Sequence, residues 1–206
     1  MEMITDFYFF LFSAILISLS GVMSPGPLFA VTIAKASREK SAGILISLGH
    51  GVVEFPLMFL IYFGFAWIFA SPFMQKAIGL VGGVLMIYLG FRMLKTRRET
   101  EEKSSYFKYG SMASGIFATV GNPYFLLWWA TIGAFLVTNS AIFGLAGFLI
   151  FTIAHWSCDL VWNTFVSPTV FKSRCFWTKR VHEIVFGFCF AILAGFGVWF
   201  IISALI

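Results

Sequence analysis

Charge is what this chain has least of. Among its 206 residues only 9 are acidic and 14 basic, together 11%, far below the quarter or so usual in a soluble domain. So few charged groups cannot cover a water-facing surface, and a soluble globular fold is excluded. Cysteine is equally sparse. Cys158, Cys175 and Cys189 are scattered, with no C-x-x-C among them, which argues against a disulfide framework and against thiolate metal or redox chemistry. Three histidines are too few for a di-metal hydroxylase, and no serine or cysteine stands in a recognisable nucleophile setting. Neither an enzyme nor a cofactor is therefore expected. A basic leader segment is missing as well. The chain opens with Glu2 and Asp6, and the apolar run behind them is too long for the core of a signal peptide. That run is expected to remain as a first span.

Apolar residues take the place of the missing charge. They make up 60% of the chain, Phe alone occurs 27 times, and the mean hydropathy is +0.92. Six apolar stretches can be drawn, at 7–34, 42–70, 77–94, 109–137, 141–170 and 181–204. A membrane-crossing helix needs about 20 residues, and most of these stretches are longer, so tilted, kinked or interrupted helices are expected. The fold class is an all-α membrane protein.

The basic residues give an orientation. Lys35, Arg38 and Lys40 fall in the first connection. Arg92, Lys95, Arg97, Arg98, Lys103 and Lys108 fall at the third, and Lys172, Arg174, Lys179 and Arg180 at the fifth. Lys76 alone falls on the other side, and the connection at 138–140 carries no charge. By the positive-inside rule the odd connections are cytoplasmic and both termini lie outside. The same distribution accounts for the net charge of +5 without a nucleic-acid partner. The connection at 95–108 adds Glu99, Glu101 and Glu102 to its basic residues and reads as a solvated loop.

Three spans in each half place residues 1–94 and 109–206 in opposite orientations, the arrangement of an inverted repeat. Corresponding signals recur in the two halves. Ser24-Pro25-Gly26-Pro27 interrupts the first stretch and Gly121-Asn122-Pro123 the fourth, and proline breaks or kinks a helix because it lacks an amide donor and crowds the preceding turn. In the third and sixth stretches Val81, Gly83, Leu89 and Gly90 correspond to Val185, Gly187, Leu193 and Ala194. Gly43, Ser47, Gly51, Gly79 and Gly83 recur at helical spacing and suit close helix packing.

The second and fifth stretches carry the chemistry. His50 and Glu54, and His155 and Asp159, are imidazole–carboxylate pairs spaced four residues apart, so each pair shares one helical face and can share a proton. Ionisable groups in hydrocarbon cost several kcal/mol by most estimates. Their repetition in both halves points to a polar pathway, with titratable groups that take up and release protons as access alternates. A carboxylate can hold a substrate ammonium, and helix N-termini at the breaks can hold a carboxylate. The alternative is a divalent cation held by the same two histidines and two carboxylates, should they meet. His182, beside Glu183 and the basic cluster, reads as an interfacial residue.

Taken together, Ser-Pro-Gly-Pro at 24–27, Tyr88-Leu89-Gly90-Phe91-Arg92, Gly121-Asn122-Pro123 and Asp159-Leu160-Val161-Trp162 resemble the lysine exporter (LysE/RhtB) family, in the same order over nearly the whole chain. The resemblance implies two inverted three-helix repeats in a prokaryotic cell membrane. It also implies export of amino acids or related small metabolites by proton or cation antiport. Carried over by position, Pro25, Gly26 and Pro27 match the family's first break, Asn122 and Pro123 the second, and Asp159 the fifth-span acid. The chain departs from the pattern at Leu28, where the family usually has Asn, and at Tyr124, where it often has Lys. The expected partners are thus an amino-acid-like substrate, protons and membrane lipid, with a homo-oligomer left open. The site residues are Asp159, Glu54, His155 and His50, with the breaks at Ser24–Pro27 and Gly121–Pro123 as substrate cradle.

Overall fold

The computed structural model describes residues 2–23, 26–65, 72–96, 109–176 and 178–205, which are helical almost throughout and contain no strand. Helix α1 (Glu2–Val22) leads to α2 (Pro27–Ala36), and the two axes differ by 68°. Pro27 occupies the first turn of α2, where a missing amide costs nothing, and Gly26 before it is extended at φ −138° and ψ −173°. Ser24 and Pro25 lie outside the described residues, as do 97–108 of the expected loop. Then follow α3 (Ala42–Tyr62), α4 (Pro72–Thr96) and α5 (Ser111–Val120). Asn122 is extended and ends α5, Pro123 starts the short α6 (Pro123–Trp128), and a π-helical turn (Trp129–Gly133) joins it to α7 (Ala134–Ala141). Helix α8 (Gly144–Ser173), a 3-10 turn (Arg174–Phe176) and α9 (Lys179–Leu205) complete the order.

Four helical stretches among the described residues are long and apolar enough to cross a membrane: Ala42–Tyr62, Tyr124–Ala141, Gly144–Phe176 and Glu183–Leu205. The bent pair α1–α2 makes a fifth. The third expected span falls in α4, 25 residues long, which contains the apolar stretch Gly79–Tyr88. One boundary differs from the reading of the sequence. Residues 138–140 continue α7, and the chain turns instead at 142–143, where Gly144 takes a φ of +73° that only glycine adopts without strain. Large apolar side chains such as Phe9, Val81, Phe135, Phe165 and Trp199 stay exposed, as lipid contact requires.

Lipid supplies no hydrophobic drive between helices, so close packing must hold them. Helices α3 and α8 cross antiparallel, so tightly that a Cβ on Gly43 would stand 2.0 Å from the Asn163 carbonyl oxygen. Gly51 meets Trp156 Nε1 in the same way, at 2.6 Å. Helices α4 and α9 form a second antiparallel pair. A Cβ on Gly83 would lie 2.7 Å from the Gly197 oxygen, and one on Gly197 would lie 2.7 Å from the Gly83 oxygen. Gly187, aligned with Gly83 by sequence pattern, would meet nothing within 4 Å. Ala30 and Ala34 wedge α2 against Met86, Cys189 and Leu193 of this second pair. Ala14, Leu57, Met58, Trp129, Phe148 and Phe151 join α1, α3, the π turn and α8 in another apolar cluster.

Candidate functional site

The antiparallel crossing of α3 and α8 turns one polar face of each helix toward the other. Ser47 Oγ donates to the Asp159 carbonyl at 3.2 Å, Asn163 Nδ2 donates to Ser47 Oγ at 3.1 Å, and Trp156 Nε1 donates to the Ser47 carbonyl at 3.0 Å. Thr32 Oγ1 of α2, 2.9 Å from the Leu28 carbonyl, lies 3.1 Å from Asn163 Oδ1. These bonds fix the register that brings His50, Glu54, His155 and Asp159 together, each at most 5% exposed.

Glu54 is the hub of that cluster. Its Oε1 lies 3.0 Å from His50 Nε2 and 3.3 Å from His155 Nε2. The two pairs are therefore unequal. His50 bonds the carboxylate on its own helix, whereas His155 reaches across to Glu54 instead of closing on Asp159. The cause is α1: Ser18 Oγ holds His155 Nδ1 at 2.7 Å and aims the far nitrogen at Glu54. Thr119 Oγ1 of α5 holds His50 Nδ1 at 2.8 Å in the same way.

These two hydroxyls also settle which nitrogen carries hydrogen. A hydroxyl has one proton, and a carbonyl can only accept. Thr119 Oγ1 spends its proton on the Gly115 carbonyl at 2.8 Å, and Ser18 Oγ on the Ala14 carbonyl at 2.6 Å. Both oxygens can then only accept from the histidines, so Nδ1–H is the donor in each ring. With Nδ1 protonated, both Nε2 atoms of neutral rings present lone pairs to Glu54 Oε1. Three acceptors facing one another repel until a proton enters. One added proton makes one N–H···O or O–H···N bond, and a second lets both rings donate to the carboxylate.

Asp159 differs. No hydrogen-bond donor reaches its carboxylate among the described residues, and His50 Nε2 stands 3.9 Å from its Oδ1. It lines a cavity of about 380 Å³ together with Glu54, both histidines, Ser18, Thr119 and Asn163. Both helix breaks reach the same wall, through Gly26 and Pro27 at the first and Asn122 at the second. Asn122 is 9% exposed, and its Oδ1 has no partner; nor has Glu54 Oε2. Leu28 and Tyr124, the two departures from the family pattern, also line the cavity.

Aromatic rings shield the cluster. Trp128 stacks on His155 at 5.4 Å, Trp129 meets the same ring edge-on at 5.0 Å, and Phe125 meets His50 edge-on at 5.1 Å. The π-helical turn that begins at Trp129 sets this indole against the site, a use π turns often have. Reading the sequence misses Ser18, Thr119, Asn163 and both tryptophans. A lone hydroxyl on an apolar helix is commonplace, and only contact with a histidine on another helix distinguishes it. The π turn has no signature in the residues themselves.

His50, Glu54 and Asp159 each offer a ligand atom within 4.8 Å of the others, a spacing that would admit a divalent cation.

Broken helices that converge on a buried, ionisable cavity among apolar spans suit a membrane transporter. A family model described as LysE type translocator matches residues 19–204, and the chain belongs to that family. The protein is accordingly a multi-pass membrane transporter of amino acids or similar small molecules, a class of translocators rather than enzymes. The match does not favour metal export. No curated protein and no solved structure matches the chain.

Proposed function

We propose that this translocator is a secondary active exporter of the prokaryotic cell membrane that exchanges protons for an amino acid or related metabolite. The observation that carries this reading is Glu54 Oε1 lying between two imidazole Nε2 atoms, 3.0 and 3.3 Å away, on the wall of the cavity. With both Nδ1 atoms committed to hydroxyls, this triad is built to gain and lose protons. Asp159, free of donors and beside the cavity, takes the substrate ammonium. When the cation leaves, a proton restores the charge balance of the two carboxylates, which couples one movement to the other. The breaks at Ser24–Pro27 and Gly121–Pro123 serve as cradle and hinge, because they free backbone groups beside the ligand.

An inverted repeat with six spans and both termini outside completes the proposal. Reciprocal contacts support it. The contact Glu54–His155 has its counterpart in Asp159–His50. The bond from His155 to Ser18, on the helix before the first break, has its counterpart in the bond from His50 to Thr119, on the helix before the second.

Uptake of an amino acid into inside-out membrane vesicles under an imposed pH gradient tests the assignment of Asp159. Asp159→Asn, which removes the charge but keeps the shape, is expected to abolish gradient-driven uptake. Uptake at the parent rate would overturn the role given to this carboxylate.

A further inference from the structure

The cavity has a composition that narrows what it takes. Among the described residues lining it there is no Lys or Arg, while two carboxylates, Glu54 and Asp159, reach it. Glu54 Oε1 is occupied by imidazoles, so the acceptors without a donor are the Asp159 carboxylate, 5% exposed, Asn122 Oδ1 and Glu54 Oε2. An acceptor buried without a donor is costly unless a ligand supplies one. Such acceptors on one wall, carboxylate oxygens among them, call for a group that donates several hydrogen bonds and carries positive charge. A primary ammonium does both.

Ser18, Thr119 and Asn163 are bonded within the protein, and the rest of the wall is mostly apolar. Phe29, Tyr124, Phe125, Trp128, Trp129 and Phe196 line it from α2, α6, the π turn and α9, with Leu28 and Val22 between them. A polar body placed there, such as a hydroxyethyl side chain or a second ammonium, would give up its water against hydrocarbon without a matching partner. A flat or bulky apolar body would keep its contacts, and aromatic faces favour the nearby cation. A volume of about 380 Å³ lies within the range of pockets that enclose small organic ligands.

We infer that the substrate is a compound with one ammonium group on a large apolar or aromatic body, its ammonium held by Asp159 and Asn122 and its body by the aromatic wall. The inference rests on the transport reading above. Two sources share this chemistry, an amino acid with an apolar side chain and the corresponding amine without a carboxylate.

Counterflow into proteoliposomes of the purified full chain separates the possibilities, with phenylalanine, phenethylamine, lysine and homoserine as probes and empty liposomes as the blank. Phenylalanine or phenethylamine is expected to exceed lysine and homoserine about tenfold or more, the discrimination that hydrophobic pockets commonly reach. Whichever of the two leads identifies the source. Trp128→Ala on α6 and Phe196→Ala on α9, on separate elements so that one folding failure does not decide the matter, are each expected to lower that preference about tenfold. Preference for lysine or homoserine in the parent would overturn the inference and leave the transport reading standing. So would an aromatic preference that both wall variants retain. Counterflow of none of the four would overturn the inference too, and gradient-driven uptake of another amino acid would then show that the transport reading stands.

Discussion

At the scale of single residues, the site is governed by hydroxyls rather than by its charged groups. Ser18 and Thr119 each spend a proton on a carbonyl of their own helix and thereby dictate the tautomer of a histidine on another helix. Thr119→Val keeps the shape and removes the acceptor, leaving His50 Nδ1–H buried and unsatisfied. A loss of about 1–3 kcal/mol in unfolding stability is expected. An imidazolium needs both N–H groups satisfied, so the variant takes its proton less readily and the pH profile of exchange should move to lower pH. A profile and a melting temperature equal to the parent's would show that Thr119 does not set the tautomer. Of this arrangement the sequence displays the four ionisable residues, because buried charge in hydrocarbon is conspicuous. It does not display their unequal pairing, since four-residue spacing makes His155 and Asp159 neighbours on one helix and says nothing of Ser18 on another.

At the scale of elements, glycine decides where helices meet. Gly43 admits α8 and thereby brings Glu54 within reach of His155. Gly43→Ala places a Cβ 2.0 Å from a backbone oxygen, which a side-chain rotation cannot relieve. The helices must separate, and the cost expected of overpacking is about 1–3 kcal/mol. Thermal unfolding in detergent should show a lowered midpoint, together with slowed exchange because the triad is pulled apart. Gly187→Ala, where nothing stands within 4 Å, is the control and should match the parent. Equal behaviour of the two variants would refute the packing account. The helix breaks were legible because proline leaves a chemical mark at Pro27 and Pro123. The π turn at Trp129–Gly133 and the turn at 142–143 were not. The first arises from packing of the indole, and the second from a glycine backbone angle beside an uncharged, apolar connection.

For the molecule as a whole, composition revealed the class and the placement of basic residues proposed the orientation. The chain carries its own reporter for that orientation. Cys175, in the turn after α8, is exposed, whereas Cys158 and Cys189 are buried. If the fifth connection is cytoplasmic, a membrane-impermeant maleimide should label Cys175 in inside-out vesicles and fail to label it in intact cells. Labelling in intact cells would reverse the proposed topology. What the whole chain could not disclose is that its two halves contribute unlike carboxylates. Glu54 is bound by two imidazoles and Asp159 faces the cavity without a donor, although the sequence presents them as matching members of two similar pairs.

That division of labour is the centre of the account, and one measurement reaches it directly. In proteoliposomes of Glu54→Gln, substrate counterflow without a gradient should persist, because Asp159 and the aromatic wall are intact, while uptake driven by an imposed pH gradient should fall to the level of empty liposomes. Gradient-driven uptake at the parent rate would contradict the assignment of the exchanged proton to Glu54 and its two histidines.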